Sequence, residues 1–258
     1  MSPVYGPTAS SASTRDRVRC MSQVERPQAA DRSSPSWAGL VVRFAAGYCG
    51  VAFILFAAAG RLDWTCGWVF LGLSVLIVAA NAPLIIWKNP SLVAERFKRR
   101  RDTKPFDKVF MALYIPSLFA VLVVAGLDAG RFAWSSPPQA VLYVGILLFA
   151  MADIPLAWAM MSNPFAETTV RIQKDRGQTV VTTGPYRFVR HPMYAGGIVM
   201  FASWPLVLGS LWAYVPVAVV VALFVFRTAF EDRTLRAELP GYEEYARKTR
   251  YRLVPFIW

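Results

Sequence analysis

The 258-residue chain contains a single histidine, and charged residues make up only 17% of its sequence. Its three cysteines, Cys20, Cys49 and Cys66, have neither the spacing of a disulfide framework nor that of a zinc site. We therefore expect no disulfide and no bound metal ion. The sequence also lacks any Gly-x-Gly, which excludes the glycine-rich loop with which a Rossmann fold binds a dinucleotide.

What the chain has instead is apolar residues, which make up 55% of it and are gathered into six runs. The runs cover about residues 38–60, 64–87, 109–127, 138–161, 193–209 and 211–226. The first four are long enough for a helix to cross a hydrocarbon core, whereas the last two are marginal. The sequence therefore predicts an all-α fold, a polytopic membrane helix bundle of about six transmembrane helices. Five remain possible if the last pair is fused or re-entrant.

The basic residues lie between the apolar runs and give the chain a formal net charge of +12. Eight Lys or Arg residues fall within residues 88–108, and five within residues 162–190. A six-helix count places both loops, the N-terminus and the C-terminal tail on one side of the membrane, which the positive-inside rule makes the cytoplasmic side. We therefore expect the basic loops to face the surface of a lipid bilayer, and we expect no nucleic acid partner.

Three regions follow from this pattern. Residues 1–36 are rich in Ser, Pro, Ala and Arg and hold few large apolar residues, so we predict a disordered tail. Residues 37–161 would form the N-terminal transmembrane helices, and residues 162–258 a catalytic region with the last helix hairpin and a cytoplasmic tail. Asp153 is an acid inside the fourth apolar run. Either it forms a structural pair with a residue such as Arg43, or it has a role near a lipid entrance.

The residues that carry chemistry concentrate in residues 184–194, with the sequence Gly-Pro-Tyr-Arg-Phe-Val-Arg-His-Pro-Met-Tyr. The segment holds two arginines, two tyrosines and the only histidine, at the point where a basic loop enters an apolar run. This density indicates an active site. The alternative is a juxtamembrane loop that offers its arginines to lipid phosphates and its tyrosines to the membrane interface.

Two further segments lie towards the C-terminus. Residues 227–235 begin with Arg227 and contain Glu231 one helical turn later, so both would project from one face of a helix. They are either functional groups or a surface ion pair of the common, weak kind. Residues 240–255, rich in tyrosine and arginine, are either functional or an interfacial amphipathic helix.

Taken in order, these three segments resemble the isoprenylcysteine carboxyl methyltransferases and their relatives among the phospholipid methyltransferases. The resemblance is carried by Gly-Pro-Tyr-Arg and Arg-His-Pro-Met-Tyr in residues 184–194, by Glu-Asp-Arg-Thr-Leu in residues 231–235, and by the Tyr/Arg/Pro tail. It covers about residues 160–258. The chain departs from the family pattern at Asp232, where the family has a second glutamate, and its loop over residues 173–178 is shorter than in the eukaryotic enzymes.

The resemblance implies an integral membrane methyltransferase that uses S-adenosylmethionine from the cytoplasmic side. The protein would then be a multi-pass protein of a bacterial inner membrane or of the endoplasmic reticulum. Catalytic roles would fall on Arg227, which faces the substrate, and on Glu231. Carried over by position, the cofactor contacts are Gln173, Gln178, Thr179, Val180, Val181, Tyr186, His191, Pro192, Met193, Tyr194 and Glu231.

The residue types suit this cofactor. Its carboxylate fits an arginine such as Arg190, its sulfonium fits aromatic faces and a nearby carboxylate, and its ribose hydroxyls fit Glu231. Methyl transfer to a carboxylate needs no general base, because that nucleophile is already deprotonated at pH 7. Arg227 would orient the acceptor carboxylate, with help from Arg250 or Arg252.

The acceptor itself is predicted to be lipophilic and to present a carboxylate, as a prenylated cysteine does. N-methylation of a phospholipid amine stays open. So does an NADPH-dependent reductase similar to the sterol reductases, although their tails tend to carry Trp and Cys where this chain has Tyr245 and Ala246. A membrane scaffold or transporter is the non-enzymatic alternative, and the oligomeric state is left open.

Overall fold

The computed structural model describes residues 37–96, 98 and 102–258, so the predicted tail of residues 1–36 lies outside the described residues. Every regular element in the described part of the chain is helical, which confirms the all-α fold. The α-helices are α1 (Trp37–Ala59), α2 (Thr65–Lys88), α3 (Pro90–Arg96), α4 (Pro105–Ala125), α5 (Gln139–Ser162), α6 (Pro192–Leu208), α7 (Tyr214–Glu238) and α8 (Tyr242–Lys248). A π-helical turn, Gly126–Phe132, extends α4, and 3-10 turns cover Lys174–Arg176 and Gly184–Arg187.

Within the described residues, five helical segments are long and apolar enough to cross a membrane. They are Val41–Ala59, Thr65–Lys88, Pro105–Phe132, Gln139–Ser162 and Tyr214–Glu238. Helix α6 is also apolar, but its 17 residues reach only about 25 Å at 1.5 Å per residue. The predicted polytopic helix bundle is therefore confirmed, with five helices rather than six that meet the length for a span.

The connection between α6 and α7 lies at the same end of the bundle as the connection between α4 and α5. Asp128, fully buried in the π-helical turn, accepts hydrogen bonds from the hydroxyl groups of Ser135 at 2.7 Å and Ser210 at 2.6 Å. The backbone N–H of Trp212 donates to the same carboxylate at 3.3 Å. Helix α6 therefore runs from one end of the bundle to the other despite its length. It forms a hairpin with α7 rather than one fused helix.

Glycines allow α5 and α6 to pack closely against each other. A Cβ atom on Gly145 would lie 2.7 Å from the backbone nitrogen of Val207, and one on Gly196 would lie 2.8 Å from the carbonyl oxygen of Ala152. Such close approach of two backbones is typical of small residues at helix interfaces in membranes. It holds the start of α6 against the end of α5, where the candidate site lies.

Two apolar clusters fill the bundle. The larger packs α1, α2, α4 and the α6–α7 corner around residues such as Leu55 and Val121, both fully buried. The smaller consists mainly of aromatic rings of α4, α6 and α7, in which Phe201 and Phe224 stack with ring centroids 5.8 Å apart. Tyr194 belongs to this second cluster, so the aromatic packing supports the candidate site from within the bundle.

The intramembrane acid Asp153 is paired, but with a different partner from the one considered above. The side-chain amide of Asn81, on α2, donates a hydrogen bond to the Asp153 carboxylate. Arg43 is exposed on α1 and makes no such pair. The proposed pairing with Arg43 is therefore wrong. An amide from a neighbouring helix satisfies the acid instead.

Candidate active site

A cleft of about 800 Å³, part of it open to solvent, lies where the loop after α5, the start of α6, the end of α7 and α8 meet. Eleven of the residues predicted to contact a cofactor line it. These are Gln173, Gln178, Thr179, Val180, Val181, Tyr186, Arg190, His191, Met193, Tyr194 and Glu231. The structure does not bring Pro192, Arg227, Arg250 or Arg252 to the lining of this cleft.

The C-terminal tail is bonded to the segment that precedes α6. The backbone N–H groups of Arg190 and His191 donate to the carbonyl oxygens of Tyr251 and Arg252, each at 2.9 Å. Pro192 then occupies the first turn of α6, where its fixed φ suits a helix start and its missing N–H costs nothing. Pro192 is fully buried, so its part is to set the position of α6.

Asp232 is a buried hub that joins four parts of the site. Arg190 donates to its carboxylate through Nε at 2.7 Å and Nη2 at 3.2 Å, and Arg252 donates through Nε at 3.0 Å. The Tyr242 hydroxyl and the Arg236 guanidinium contact the same carboxylate at 3.1 and 3.2 Å. Asp232 stands where the family pattern has a second glutamate. It therefore joins the segment before α6 to α7, α8 and the tail.

Most of the hydrogen-bonding capacity of Arg190 is used inside the protein. Besides Asp232, it donates through Nη1 to the carbonyl oxygens of Thr249 and Arg250 at 2.8 and 2.7 Å. Four of the five N–H donors of a guanidinium are thus occupied. The geometry makes Arg190 a residue that fixes the cleft wall, and its contact with a cofactor stays a prediction.

The two tail arginines predicted to assist substrate binding differ in their surroundings. Arg252 binds Asp232, and its guanidinium lies 4.8 Å from the centroid of the Trp258 ring. Arg250 has an exposed side chain. Since neither lines the cleft, their role with substrate stays a prediction.

Glu231 and Tyr194 meet in the lining of the cleft. The Tyr194 hydroxyl, which is buried, donates a hydrogen bond to the Glu231 carboxylate and so links α6 to α7. The His191 ring stacks on Tyr194 with centroids 5.7 Å apart and planes 3° from parallel. The structure therefore places the predicted histidine, tyrosine and glutamate in one contiguous group.

Two buried polar atoms in this part of the cleft have no hydrogen-bond partner among the described residues: His191 Nε2 and Thr169 Oγ1. The nearest acid to His191 Nε2 is Asp232, whose Oδ1 lies 3.6 Å away, beyond hydrogen-bonding distance. Buried polar groups are rarely left unsatisfied in folded proteins. Both residues line the cleft, so these atoms are suited to bind a ligand.

Arg227 is buried at 7% exposure and does not pair with Glu231. Its Nε lies 2.9 Å from Oδ1 of Asp107, at the start of α4, and its Nη2 donates to the carbonyl oxygen of Thr168 at 2.7 Å. The guanidinium also lies 5.3 Å from the centroid of the Tyr194 ring. The surface ion pair considered as an alternative for Arg227 and Glu231 is therefore wrong.

Apolar and aromatic side chains form the wall beneath the loop. Val180 and Val181 pack in one cluster with Leu239 and Tyr245. The Tyr245 hydroxyl donates to the carbonyl oxygen of Tyr186 at 2.6 Å, and burial raises the pKa of Tyr245 to about 12. The wall is thus suited to a flat, apolar ring system, and its hydroxyl groups remain neutral.

Sequence reasoning missed the acids that stabilise the loop after α5. Glu167 and Arg171 are both buried and form a two-point ion pair with both distances 2.9 Å, which holds the pKa of Arg171 above its ordinary value. Asp175 pairs with the same arginine at 2.7 Å. Their spacing of four residues indicates such pairs only in an α-helix, and this segment is a loop, so the sequence offered no reliable signal. For Asp107 the only sequence signal was that an acid stands at the start of an apolar run.

The chain is similar to several groups of known proteins. Residues 140–239 match the family model for phospholipid methyltransferases. The chain is 26% identical over 181 residues to a probable protein-S-isoprenylcysteine O-methyltransferase of Oryza sativa subsp. japonica, covering 69% of this chain and 94% of that protein. It is 30% identical over 100 residues to the delta(14)-sterol reductase TM7SF2 of Mus musculus, covering 38% of this chain and 24% of that protein.

A third similarity is to the cobalt-zinc-cadmium resistance protein CzcN of Cupriavidus metallidurans, with 31% identity over 132 residues, 49% of this chain and 56% of that protein. The chain thus spans about a quarter of the sterol reductase and a little over half of the resistance protein. In the part of the chain that the structure describes, no group of three or more His, Cys, Asp or Glu side chains is placed to hold a metal ion. The resemblance to the isoprenylcysteine carboxyl methyltransferases and phospholipid methyltransferases, predicted from three sequence segments, is confirmed, and residues 140–239 carry the family match.

Proposed function

We propose that this protein is an integral membrane enzyme that transfers a methyl group from S-adenosylmethionine to the carboxylate of a lipophilic acceptor. The observation that carries the proposal is the grouping of His191, Tyr194 and Glu231 in one cleft, with His191 Nε2 buried and unsatisfied. Two sequence segments that are 37 residues apart meet there through the bond between Tyr194 and Glu231. The match to the phospholipid methyltransferase family model supports the same class of reaction.

The residues of the cleft fit the cofactor. The unsatisfied His191 Nε2 and Thr169 Oγ1 offer polar contacts, and the half-buried Glu231 offers a carboxylate to a sulfonium or to ribose hydroxyls. When bound, S-adenosylmethionine supplies an electrophilic methyl group attached to a positively charged sulfur.

The protein's own residues then have to position and desolvate the acceptor. An acceptor carboxylate is already ionised at pH 7, so no side chain has to remove a proton from it. Asp107 and Thr168 hold Arg227 next to the Tyr194 ring, where its buried cation can orient a carboxylate by a charge-assisted pair. Burial strengthens such a pair, because water does not screen it.

The direction in which the cleft faces is part of the proposal. The cleft is built from residues 163–191 and from the ends of α5 and α7, which belong to the end of the bundle that carries the basic loops. Since positively charged loops are retained on the cytoplasmic side, we infer that the cleft opens to the cytoplasm. The lipid bilayer would then deliver the acceptor laterally, and the cofactor would enter from water.

The experiment is radiolabelled methyl transfer by the purified protein. The protein in lipid nanodiscs is incubated with S-adenosylmethionine carrying a tritiated methyl group and with a total lipid and protein extract. The proposal predicts label that mild base releases as volatile methanol, because carboxyl methyl esters hydrolyse. Label that resists base would indicate N-methylation of an amine and contradict the carboxylate acceptor. Absence of any transfer would contradict the methyltransferase.

A reductase is the second candidate, because the chain is 30% and 32% identical to two proteins named delta(14)-sterol reductases, from Mus musculus and Schizosaccharomyces pombe. Each match covers less than a quarter of the reductase. Such a function predicts saturable NADPH binding and no binding of S-adenosylmethionine. Titration of the purified protein with each cofactor therefore separates the two candidates.

A further inference from the structure

A second arginine is anchored near Arg227 on the loop that lines the cleft. Arg96, the last residue of α3, donates through Nη1 to the carbonyl oxygen of Ala166 at 2.6 Å. Arg227, on α7, donates to the carbonyl oxygen of Thr168 at 2.7 Å. Two guanidinium groups from helices far apart in sequence are thus anchored two residues apart on the loop that lines the cleft. Neither side chain lines the cofactor cleft itself.

The two cations differ in how their charge is compensated. Arg227 is paired with Asp107, and the pair is buried. Among the described residues, no carboxylate forms an ion pair with Arg96, which is partly buried. Burial lowers the pKa of Arg96 below its ordinary value, and the positive charge of Arg227 acts in the same direction. An uncompensated cation at such a place is costly unless an anion binds there.

In-line transfer places the acceptor on a defined side of the site. The attacking oxygen must approach the methyl group from the side opposite the sulfur, so acceptor-binding groups lie beyond the cofactor cleft rather than in it. Tyr194 lines the cleft, and its ring faces the Arg227 guanidinium at 5.3 Å. Arg227 therefore lies against the Tyr194 ring from outside the cleft lining, and Arg96 is anchored two residues away on the same loop.

The surroundings of Arg96 are apolar on the side of the bundle. Leu92, one turn before Arg96, is fully buried and packs with Ile85 and Ala166. Three methionines, Met160, Met161 and Met193, pack around the same cluster. Methionine side chains adapt to ligands of different shape. A charged head group at Arg96 would thus have an adaptable hydrocarbon-binding surface next to it.

We propose that Arg96 binds the carboxylate of the methyl acceptor together with Arg227, and that it selects anionic amphiphiles as substrates. This inference rests on the proposed function, because it assigns the acceptor side of the same site. Arg96 supplies the net positive charge, whereas the Arg227–Asp107 pair is neutral as a unit. A cationic amine head group lacks the negative charge that this arrangement favours, and a zwitterionic head group has no net negative charge.

The test is a binding experiment with two matched probes and the full-length protein in nanodiscs. An N-acetylated S-prenylcysteine supplies the carboxylate, and its carboxamide supplies the same shape without the charge. Tryptophan fluorescence reports the Kd of each probe in the absence of cofactor. We expect the wild-type protein to prefer the carboxylate, and Arg96→Gln to weaken carboxylate binding by about tenfold or more while carboxamide binding is unchanged. Arg96→Lys keeps the charge and should retain part of the preference.

Lys98→Gln is the matched control, because Lys98 is an exposed cation on the same segment and is paired with Glu95 at 2.8 Å. It should leave the carboxylate preference intact. The inference is overturned if Arg96→Gln prefers the carboxylate probe over the carboxamide as strongly as the wild-type protein does. It is also overturned if the wild-type protein shows no such preference. A parallel loss of S-adenosylmethionine affinity in Arg96→Gln and Arg96→Lys also overturns it, since Arg96 would then only support the loop. Failure of the proposed function is distinguishable, because the wild-type protein would bind no S-adenosylmethionine.

Discussion

The Tyr194 hydroxyl donates a hydrogen bond to the Glu231 carboxylate, and this bond joins the first turn of α6 to the end of α7 in the candidate site. The two residues come from two of the three segments that the sequence singled out. Their contact fixes the direction of the carboxylate, because a buried tyrosine ring has little freedom to move.

Tyr194→Phe removes the donor to Glu231 while it keeps the ring. The carboxylate loses its orientation, so we expect the Kd for S-adenosylmethionine to rise by about ten- to a hundredfold, in proportion to one hydrogen bond to a charged group. Isothermal titration calorimetry measures the change. Tyr143→Phe is the control, since Tyr143 is exposed near the start of α5, at the other end of the bundle. An unchanged Kd in Tyr194→Phe would show that Glu231 does not need this contact.

Asp232→Asn should destabilise the fold, because the hub loses the charge that balances Arg190 and Arg252. Removing one partner of a buried ion pair costs about 3 to 5 kcal/mol. Thermal unfolding in detergent should therefore show a clearly lowered Tm. Glu244→Gln, which removes an exposed pair with Lys248, should change the Tm little. Equal Tm values for the two variants would contradict the role of Asp232 as a hub.

Gly196→Ala should separate α5 from α6. The added Cβ would lie 2.8 Å from the carbonyl oxygen of Ala152, which is backbone and cannot rotate away. Overpacking of this kind costs about 1 to 3 kcal/mol, and the shift of α6 should weaken S-adenosylmethionine binding as well. Gly72→Ala in α2, where a Cβ meets no atom within 4 Å, serves as the comparison in the same melting and titration experiments. Unaltered behaviour of Gly196→Ala would contradict the close helix contact.

The raised pKa of Tyr245 predicts that the stability of the fold falls as the pH rises into the alkaline range. Burial raises its pKa from the ordinary 10.0 to about 12, so the folded state keeps the phenol proton that the unfolded state loses. This contribution is fully present below pH 10 and is lost as the pH rises from 10 to 12. The stability difference between the wild-type protein and Tyr245→Phe should narrow over that interval in thermal unfolding. A constant difference from pH 9 to 12 would contradict the assignment.

The sequence predicted the features that depend on composition and local spacing. Apolar runs located the helices, because a span needs a continuous apolar stretch of about 20 residues. They did not give every boundary, since α7 continues through charged residues to Glu238, beyond the run that ends near residue 226. It could not predict the partners of buried charges. Arg227 pairs with Asp107 and Asp153 with Asn81, and each pair joins helices that are distant in sequence. Only the packing of the helices determines which of several possible partners is close.

In the candidate site, too, the local sequence predicted some features and only the packing of the helices determined the others. The sequence brought segment 184–194 and Glu231 together only through the family resemblance. The structure shows why they meet, because Asp232, the residue after Glu231, binds Arg190, the residue before His191. Arg96 had no local signal at all, since it stood among several basic residues of one loop. Its contact with Ala166 becomes visible only in three dimensions.

Cofactor binding by the wild-type protein and by the double variant His191→Ala/Glu231→Gln tests the central claim most directly. Purified protein is titrated with S-adenosylmethionine and, separately, with NADPH. We predict saturable binding of S-adenosylmethionine that is weakened at least about tenfold in the double variant, with no saturable binding of NADPH. Saturable NADPH binding without S-adenosylmethionine binding, or an affinity for S-adenosylmethionine that the double variant retains in full, would contradict the account.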